Sequence, residues 1–278
     1  MLLVGSLLPG CAGTWDFLTS ERFKSRPVGS LFDSNGDPLT ILETSNDGHQ
    51  RALALRDLRE PKRKGKPEAE QEKALAYLRT SAVNDSRAMC RLEAIEALGR
   101  FEDPRAVPIL IDAYKNAGYE GSSDPNVKPA GGVLAPNAAS TFTPDTVTDI
   151  QVRAIRALGK HRKPEALPFL CEIASMRIES LPGEKSLINQ TDYRLELTPS
   201  EGDRHRLKAE AIRALAGYEK NRQAIQTLID ALANDRDVAI RGLAHTTLLK
   251  ITDQDFPPEA KPWQEWFAKM PVAPEKKK

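Results

Sequence analysis

Little in this chain of 278 residues could cross-link it, carry a helix across a membrane or run a reaction. Its three cysteines, Cys11, Cys90 and Cys171, form no CxxC pair, which excludes a disulfide framework and a cysteine-rich zinc site. Cys90 and Cys171 fall on apolar helix faces, where a thiol packs as a small hydrophobe. Neither sign of charge prevails, with 40 Lys and Arg against 39 Asp and Glu, so global steering toward nucleic acid is not expected. No apolar run approaches the roughly 18–20 residues of a membrane-spanning helix. The histidines His49, His161, His205 and His245 lie far apart without ligand-spaced partners, no serine sits in a nucleophile elbow, and no glycine-rich loop follows a strand. On these grounds no catalytic residue, metal ligand or cofactor is expected.

What is there is a repeat. In residues 90–114, CRLEAIEALGRFEDPRAVPILIDAY, apolar positions recur at helical spacing on both sides of a tight turn. Ala94-Ile95-Glu96-Ala97-Leu98-Gly99 returns as Ala154-Ile155-Arg156-Ala157-Leu158-Gly159 and as Ala211-Ile212-Arg213-Ala214-Leu215-Ala216. Ala54-Leu55-Arg56-Asp57-Leu58 and Ala244-His245-Thr246-Thr247-Leu248 are weaker copies. An alanine four residues before a leucine shares its helix face, so the alanine admits a neighbouring helix and the leucine fills the seam. Seven residues before each closing leucine stands Arg51, Arg91, Gln151, Lys208 or Arg241, cationic in all copies but one. Asp103-Pro104 and Lys163-Pro164 predict where the second helices start, with proline at the first helical position, and Asn221-Arg222 does so in the third copy. Pro108 and Pro168 then fall one turn inside and should bend each helix start. Charge alternates between copies: Glu93, Arg153 and Glu210 stand five residues before the closing leucine, Glu96 and Arg156 two before it. Side-by-side stacking would turn these into register-setting surface ion pairs, each worth on the order of 0–1 kcal/mol.

This Arg-xx-Ala-xx-Ala-Leu-Gly helix, its turn ending in Asp-Pro and its second helix resemble the HEAT-like repeat, over units at about residues 47–83, 86–116, 149–174, 203–234 and 236–270. The resemblance implies an all-α fold, a HEAT-like α-solenoid of about five helix pairs, with degenerate terminal units because one face of each meets water. The whole chain is similar to bacterial HEAT-repeat lipoproteins of unknown function through Ser20-Glu21-Arg22-Phe23-Lys24, Asp103-Pro104-Arg105-Ala106-Val107 and Trp263-Gln264-Glu265-Trp266. Residues 2–8 form an apolar run of signal-segment length, and Leu8-Pro9-Gly10-Cys11 resembles the bacterial lipobox. That resemblance implies a lipoprotein signal segment over 1–10, a lipid on the Cys11 sulfur and membrane attachment in the cell envelope; a cytoplasmic location is the alternative. Residues 11–46 read as an extended arm pinned by Trp15, Phe17, Phe23 and Phe32, with a turn at Ser34-Asn35-Gly36-Asp37-Pro38. The solenoid is expected over 47–270 and a disordered tail over 271–278. Trp263, Trp266 and Phe267 are spaced to bury together as a hydrophobic cap.

The leucine spacings locate two insertions. Leu58 to Leu98 spans 40 residues and Leu215 to Leu248 spans 33, one helix pair each, whereas Leu98 to Leu158 spans 60 and Leu158 to Leu215 spans 57. The excess, residues 117–148 and 175–202, falls at the same point of the repeat, so both loops should emerge on one edge. The first is rich in Gly, Pro, Ser and Asn and should lack regular structure. In the second, Ser186-Leu187-Ile188 and Tyr193-Arg194-Leu195-Glu196-Leu197-Thr198 flank a turn and predict a small hairpin. Long loops on rigid scaffolds carry function, which makes Tyr119, Phe142, Leu187, Tyr193 and Leu195 candidate partner contacts. The basic run Arg59, Lys62, Arg63, Lys64 and Lys66 is a candidate contact for anionic lipid headgroups near Cys11. The expected function is a non-enzymatic protein-binding scaffold acting through its concave face or the two-loop edge. The alternative is a cytosolic HEAT-like enzyme, bilin-lyase-like or DNA-glycosylase-like.

Overall fold

The structure, a computed structural model, describes residues 36–118, 142–177 and 200–271. Among the described residues every regular element is a helix: α1 (Pro38–Thr44), α2 (Gly48–Asp57), α3 (Glu68–Asn84), α4 (Ala88–Leu98), α5 (Ala106–Lys115), α6 (Pro144–His161), α7 (Leu167–Ala174), α8 (Glu201–Leu215), α9 (Arg222–Asn234), α10 (Val238–Thr252) and α11 (Ala260–Lys269), with short 3-10 turns at Lys62–Lys64 and Pro164–Ala166. The chain marks many of these starts itself. Asp47 accepts from the Gln50 N–H, Asn221 from those of Gln223 and Ala224, and Asp237 from that of Ala239, each filling an orphan donor of a first turn. Ser200 and Asp203 close a reciprocal capping box at the head of α8.

Two rows of helices result. The first helices α2, α4, α6, α8 and α10 pack on one another in order. Of the second helices, α3 packs on α5, α7 on α9 and α9 on α11, while α5 meets the 3-10 turn ahead of α7 and reaches α7 through Tyr114, edge-on to Phe169 at 5.1 Å. Each second helix also lies against the first helix of the following unit, so α3 packs on α4, α5 on α6, α7 on α8 and α9 on α10. The closing leucines Leu58, Leu98, Leu158, Leu215 and Leu248 and their alanines Ala54, Ala94, Ala154, Ala211 and Ala244 are all buried between the rows. Each such leucine contributes about 1.5–3 kcal/mol. The glycine after the leucine is a spacer: a Cβ on Gly99 would stand 3.0 Å from that of Ala157, and one on Gly159 would stand 2.8 Å from that of Ala214. Both meet the small residue just before the next closing leucine, which sets how closely successive first helices approach.

Several expectations are revised. The arm does not run to residue 46, because Pro38–Thr44 is helical; α1 packs on α2 as a second helix would and buries Leu39 and Leu42. Asp103 and Lys163 do not cap α-helices directly. The α-helices begin at Ala106 and Leu167, and Pro108 and Pro168 lie within their first turns without interrupting them. Proline explains the delay. Pro108 has no N–H to offer the Pro104 carbonyl, so that carbonyl takes the Val107 N–H at 3.2 Å, three residues on. Pro164 likewise receives the N–H of Leu167 ahead of Pro168. The insertions are also shorter than expected, since α6 starts at Pro144 behind the N-cap Thr143 and α8 starts at Glu201. The signal segment, residues 11–35 of the arm, the hairpin and the tail beyond residue 271 lie outside the described residues.

Candidate functional site

The edge that carries the insertions is built from helix ends, and the recurring cation seven residues before each closing leucine holds it together. A helix C-terminus leaves carbonyls without donors and carries the negative end of the dipole. Arg51 donates to the carbonyls of Leu42 (2.7 Å) and Ser45 (3.3 Å), at the end of α1. Arg91 is fully buried and bridges two ends, donating to the Asp85 carbonyl beyond α3 (2.7 Å) and the Asn116 carbonyl beyond α5 (2.9 Å). Lys208 donates to the Met176 carbonyl beyond α7 (2.8 Å) and pairs with the Asp235 carboxylate beyond α9. Arg241 donates to the Asp235 carbonyl at 2.8 Å. The neutral Gln151 is understandable, because Arg91 from the preceding unit already serves the end of α5.

These cations fix the feet of both insertions. The first leaves beyond Gly118 and returns at Phe142, whose ring centroid lies 4.8 Å from the Arg91 guanidinium carbon. Phe142, expected as a partner contact, is therefore half-buried against the scaffold at the loop's root. The second insertion leaves beyond Arg177, next to the Met176 carbonyl that Lys208 holds. Tyr119, Leu187, Tyr193, Leu195 and Cys11 lie outside the described residues. Where units lack an insertion, α3 passes to α4 and α9 to α10 through three-residue turns at 85–87 and 235–237. The insertions therefore replace short turns without parting the helices they join.

At the root of the second insertion is a cavity of about 910 Å³ lined by Arg177, Glu201, His205, Lys208, Asp230 and Asp237 among others. His205 Nδ1 lies 3.0 Å from the Asp237 carboxylate and Nε2 3.8 Å from that of Glu201. Its walls are mixed in sign, with Arg177 and Lys208 beside Glu201, Asp230 and Asp237. Among the described residues no group of three or more His, Cys, Asp or Glu is placed to hold a metal ion.

The basic run after α2 is an ordered turn, closed by Gly65 at φ 71°, and acids meet much of its charge. Lys62 pairs with Glu68 (3.4 Å), Arg63 with Glu102 (3.1 Å) and Lys66 with Glu70 (3.6 Å); Arg59 donates to the Arg56 carbonyl, and Lys64 is exposed. Beneath it lies a network that composition did not reveal. Buried Gln71 donates to Glu60 and to Asp103, both at 3.1 Å, and Glu60 accepts the Glu102 N–H at 2.8 Å. The Arg105 guanidinium against Asp103 holds that carboxyl well below the usual carboxylate range. On the first helices the expected ion pairs form one turn out of level. Arg153 meets Glu96 at 3.4 Å and Arg156 meets Glu210 at 2.8 Å, in each case two residues before one leucine to five before the next.

Stacked helix pairs in two continuous rows define an α-solenoid. Residues 37–120 match the family model for HEAT repeats and residues 150–175 that for the PBS lyase HEAT-like repeat. The chain is a HEAT-like repeat protein, and its array reaches back to Asp37, the N-cap of α1. No curated protein matches the chain.

Proposed function

We propose that the chain is a non-enzymatic scaffold that binds a protein partner along the edge carrying residues 119–141 and 178–199, and that a lipid on Cys11 holds it in the cell envelope. The observation that carries the binding edge is the clamping of both loop roots by buried cations, Arg91 and Lys208, on an unbroken helical array. A scaffold that spends buried charge to fix where two long segments leave it gains a defined spacing between them. The anchor rests on the apolar run at 2–8 and on Leu8-Pro9-Gly10-Cys11. Replacing each insertion by a three-residue turn like Asp85-Ser86-Arg87 tests the edge. Helicity and melting midpoint are expected to persist while a partner recovered from native cells by the full chain is lost; equal recovery would sink the proposal. Labelling with a clickable fatty acid tests the anchor, with label expected on the full chain and absent from Cys11→Ser.

A second reading, an enzyme of the HEAT-like group, draws on the match of residues 150–175 to the PBS lyase HEAT-like repeat. That stretch comprises most of α6 and all of α7, whose buried residues are spent on stacking. An absorption shift on mixing the chain with a linear tetrapyrrole would support this reading, and an unchanged spectrum would count against it.

A further inference from the structure

On the edge opposite the insertions, the turns of the second and third units enclose a cavity of about 320 Å³ lined by Gly99, Arg100, Phe101, Glu102, Lys160, His161 and Lys163. Its charges do not cancel. Glu102 is engaged by Arg63 (3.1 Å) and Lys160 by Glu96 (3.4 Å), whereas among the described residues neither Arg100 nor Lys163 pairs with a carboxylate. The framework is fixed. His161 Nε2 bonds the Leu98 carbonyl at 2.9 Å and ties the third unit's turn to the end of α4, and the Tyr218 hydroxyl donates to the Lys163 carbonyl at 3.0 Å. Arg100 donates to the Arg56 carbonyl at 2.7 Å, which holds its guanidinium between units. Burial, and after it the charge of Lys163, lowers the His161 pKa against the Leu98 carbonyl bond and Glu60, which raise it; burial and then Arg59 lower that of Arg100 against Glu96, Glu93 and Asp57.

We infer that this cavity is a binding site for a phosphoryl group, taken between the Arg100 guanidinium and the Lys163 ammonium with His161 beside them. A guanidinium suits the geometry of phosphate oxygens and an ammonium supplies a point charge. Lys163 is half-buried while Arg100 is exposed, so the ammonium gains more from this setting over open water than the guanidinium does. The cavity lies beside the basic run at Arg59–Lys66, where acids meet Lys62, Arg63 and Lys66 but, among the described residues, neither Arg59 nor Lys64, so this edge carries unmet positive charge both in the cavity and next to it. The inference does not depend on the loop-edge reading.

The test uses the full chain at low salt, titrated with pyrophosphate and, separately, sedimented with phosphatidylcholine vesicles with and without phosphatidic acid. Saturable pyrophosphate binding is expected to shift the backbone resonances of Arg100, His161 and Lys163 and to raise the pH at which the His161 ring titrates. Arg100→Gln with Lys163→Gln should weaken binding by about tenfold or more. Lys163→Gln alone, which leaves the Arg100 bond to Arg56 in place, should weaken it in the same direction with unchanged circular dichroism. Sedimentation with phosphatidic acid that pyrophosphate competes away identifies a lipid headgroup as the source; pyrophosphate binding without sedimentation identifies a soluble phosphorylated ligand. The inference is overturned if neither arm shows saturable binding, if the double variant binds as the parent does, or if Lys250→Gln on the distant α10 weakens binding equally.

Discussion

At the scale of single residues, a tight constraint is the glycine that follows the closing leucine of a first helix. A Cβ on Gly159 would stand 3.0 Å from the Ala214 Cα as well as 2.8 Å from its Cβ, and backbone cannot swing aside as a long side chain can. Gly159→Ala is therefore expected to cost about 1–3 kcal/mol through overpacking, despite alanine's better helix propensity. Gly242 in α10 faces open space, so Gly242→Ala should stabilise by about 0.5–1 kcal/mol. Thermal melts of the pair separate crowding from propensity; destabilisation by both would remove the spacer argument. Asp103 supplies a second residue-scale test. Its carboxyl is held below the ordinary range, first by Arg105, so its contribution is fully present above the unfolded carboxylate pKa and is lost as pH falls. Asp103→Asn should lose about 1–3 kcal/mol at neutral pH, since the buried Gln71 amide then faces a weaker acceptor. The gap to the parent should narrow between about pH 5 and pH 2, as measured by denaturant titration.

At the scale of elements, a helix here is held mainly at its ends. Arg91 joins the ends of α3 and α5, whereas Arg241 serves the end of α9 alone. Arg91→Met should therefore cost about 2–4 kcal/mol, more than Arg241→Met, because it strands carbonyls at two buried ends. Faster amide exchange just beyond Asn84 and Lys115 would locate the effect. The existence of these helices was legible from residue spacing, because a buried alanine–leucine face repeats in five places. Their boundaries were less so. Asp103-Pro104 has the composition of a helix start, but Pro108 withholds the N–H that would make it one, and Thr143-Pro144 is a start hidden in an irregular stretch. The seven-residue α1 is too short to show a period. The cations before each leucine were visible as a pattern, but their acceptors are carbonyls contributed by neighbouring helices, which no periodicity displays. The cavity at Arg100, Lys160 and Lys163 escaped the sequence for a related reason: its walls come from two units and meet only once those units stack.

At the scale of the molecule, the two-row arrangement makes stability a matter of neighbours. Each helix touches its own row and the adjoining unit, so the array should open from an end and not all at once. The closing unit offers the sharpest test. Trp263 is fully buried, donates its indole N–H to the Pro257 carbonyl at 3.0 Å, and packs edge-on against Phe256 at 5.2 Å and Trp266 at 6.2 Å. His245 also packs edge-on against Trp263 at 6.0 Å, and Arg222 lies over the neighbouring Phe267, its guanidinium carbon 4.2 Å from that ring centroid. Trp263→Ala removes the centre of this cluster and should cost the last unit about 3–5 kcal/mol. In a nearest-neighbour array the loss is local. Amide exchange should accelerate through α10 and α11 and stay near parental rates in α4 and α6, where the closing leucines and spacer glycines are untouched. Equal acceleration in α4 would mean that the units unfold as one, and that the register is set by the whole stack and not by pairs such as Gly159 with Ala214. The outcome also bears on the binding edge, since Lys208 pairs with Asp235 beyond α9. Opening confined to α10 and α11 leaves α7, α8 and the root of the second insertion in place, so loss of the terminal unit should spare partner capture even as it lowers the first melting transition.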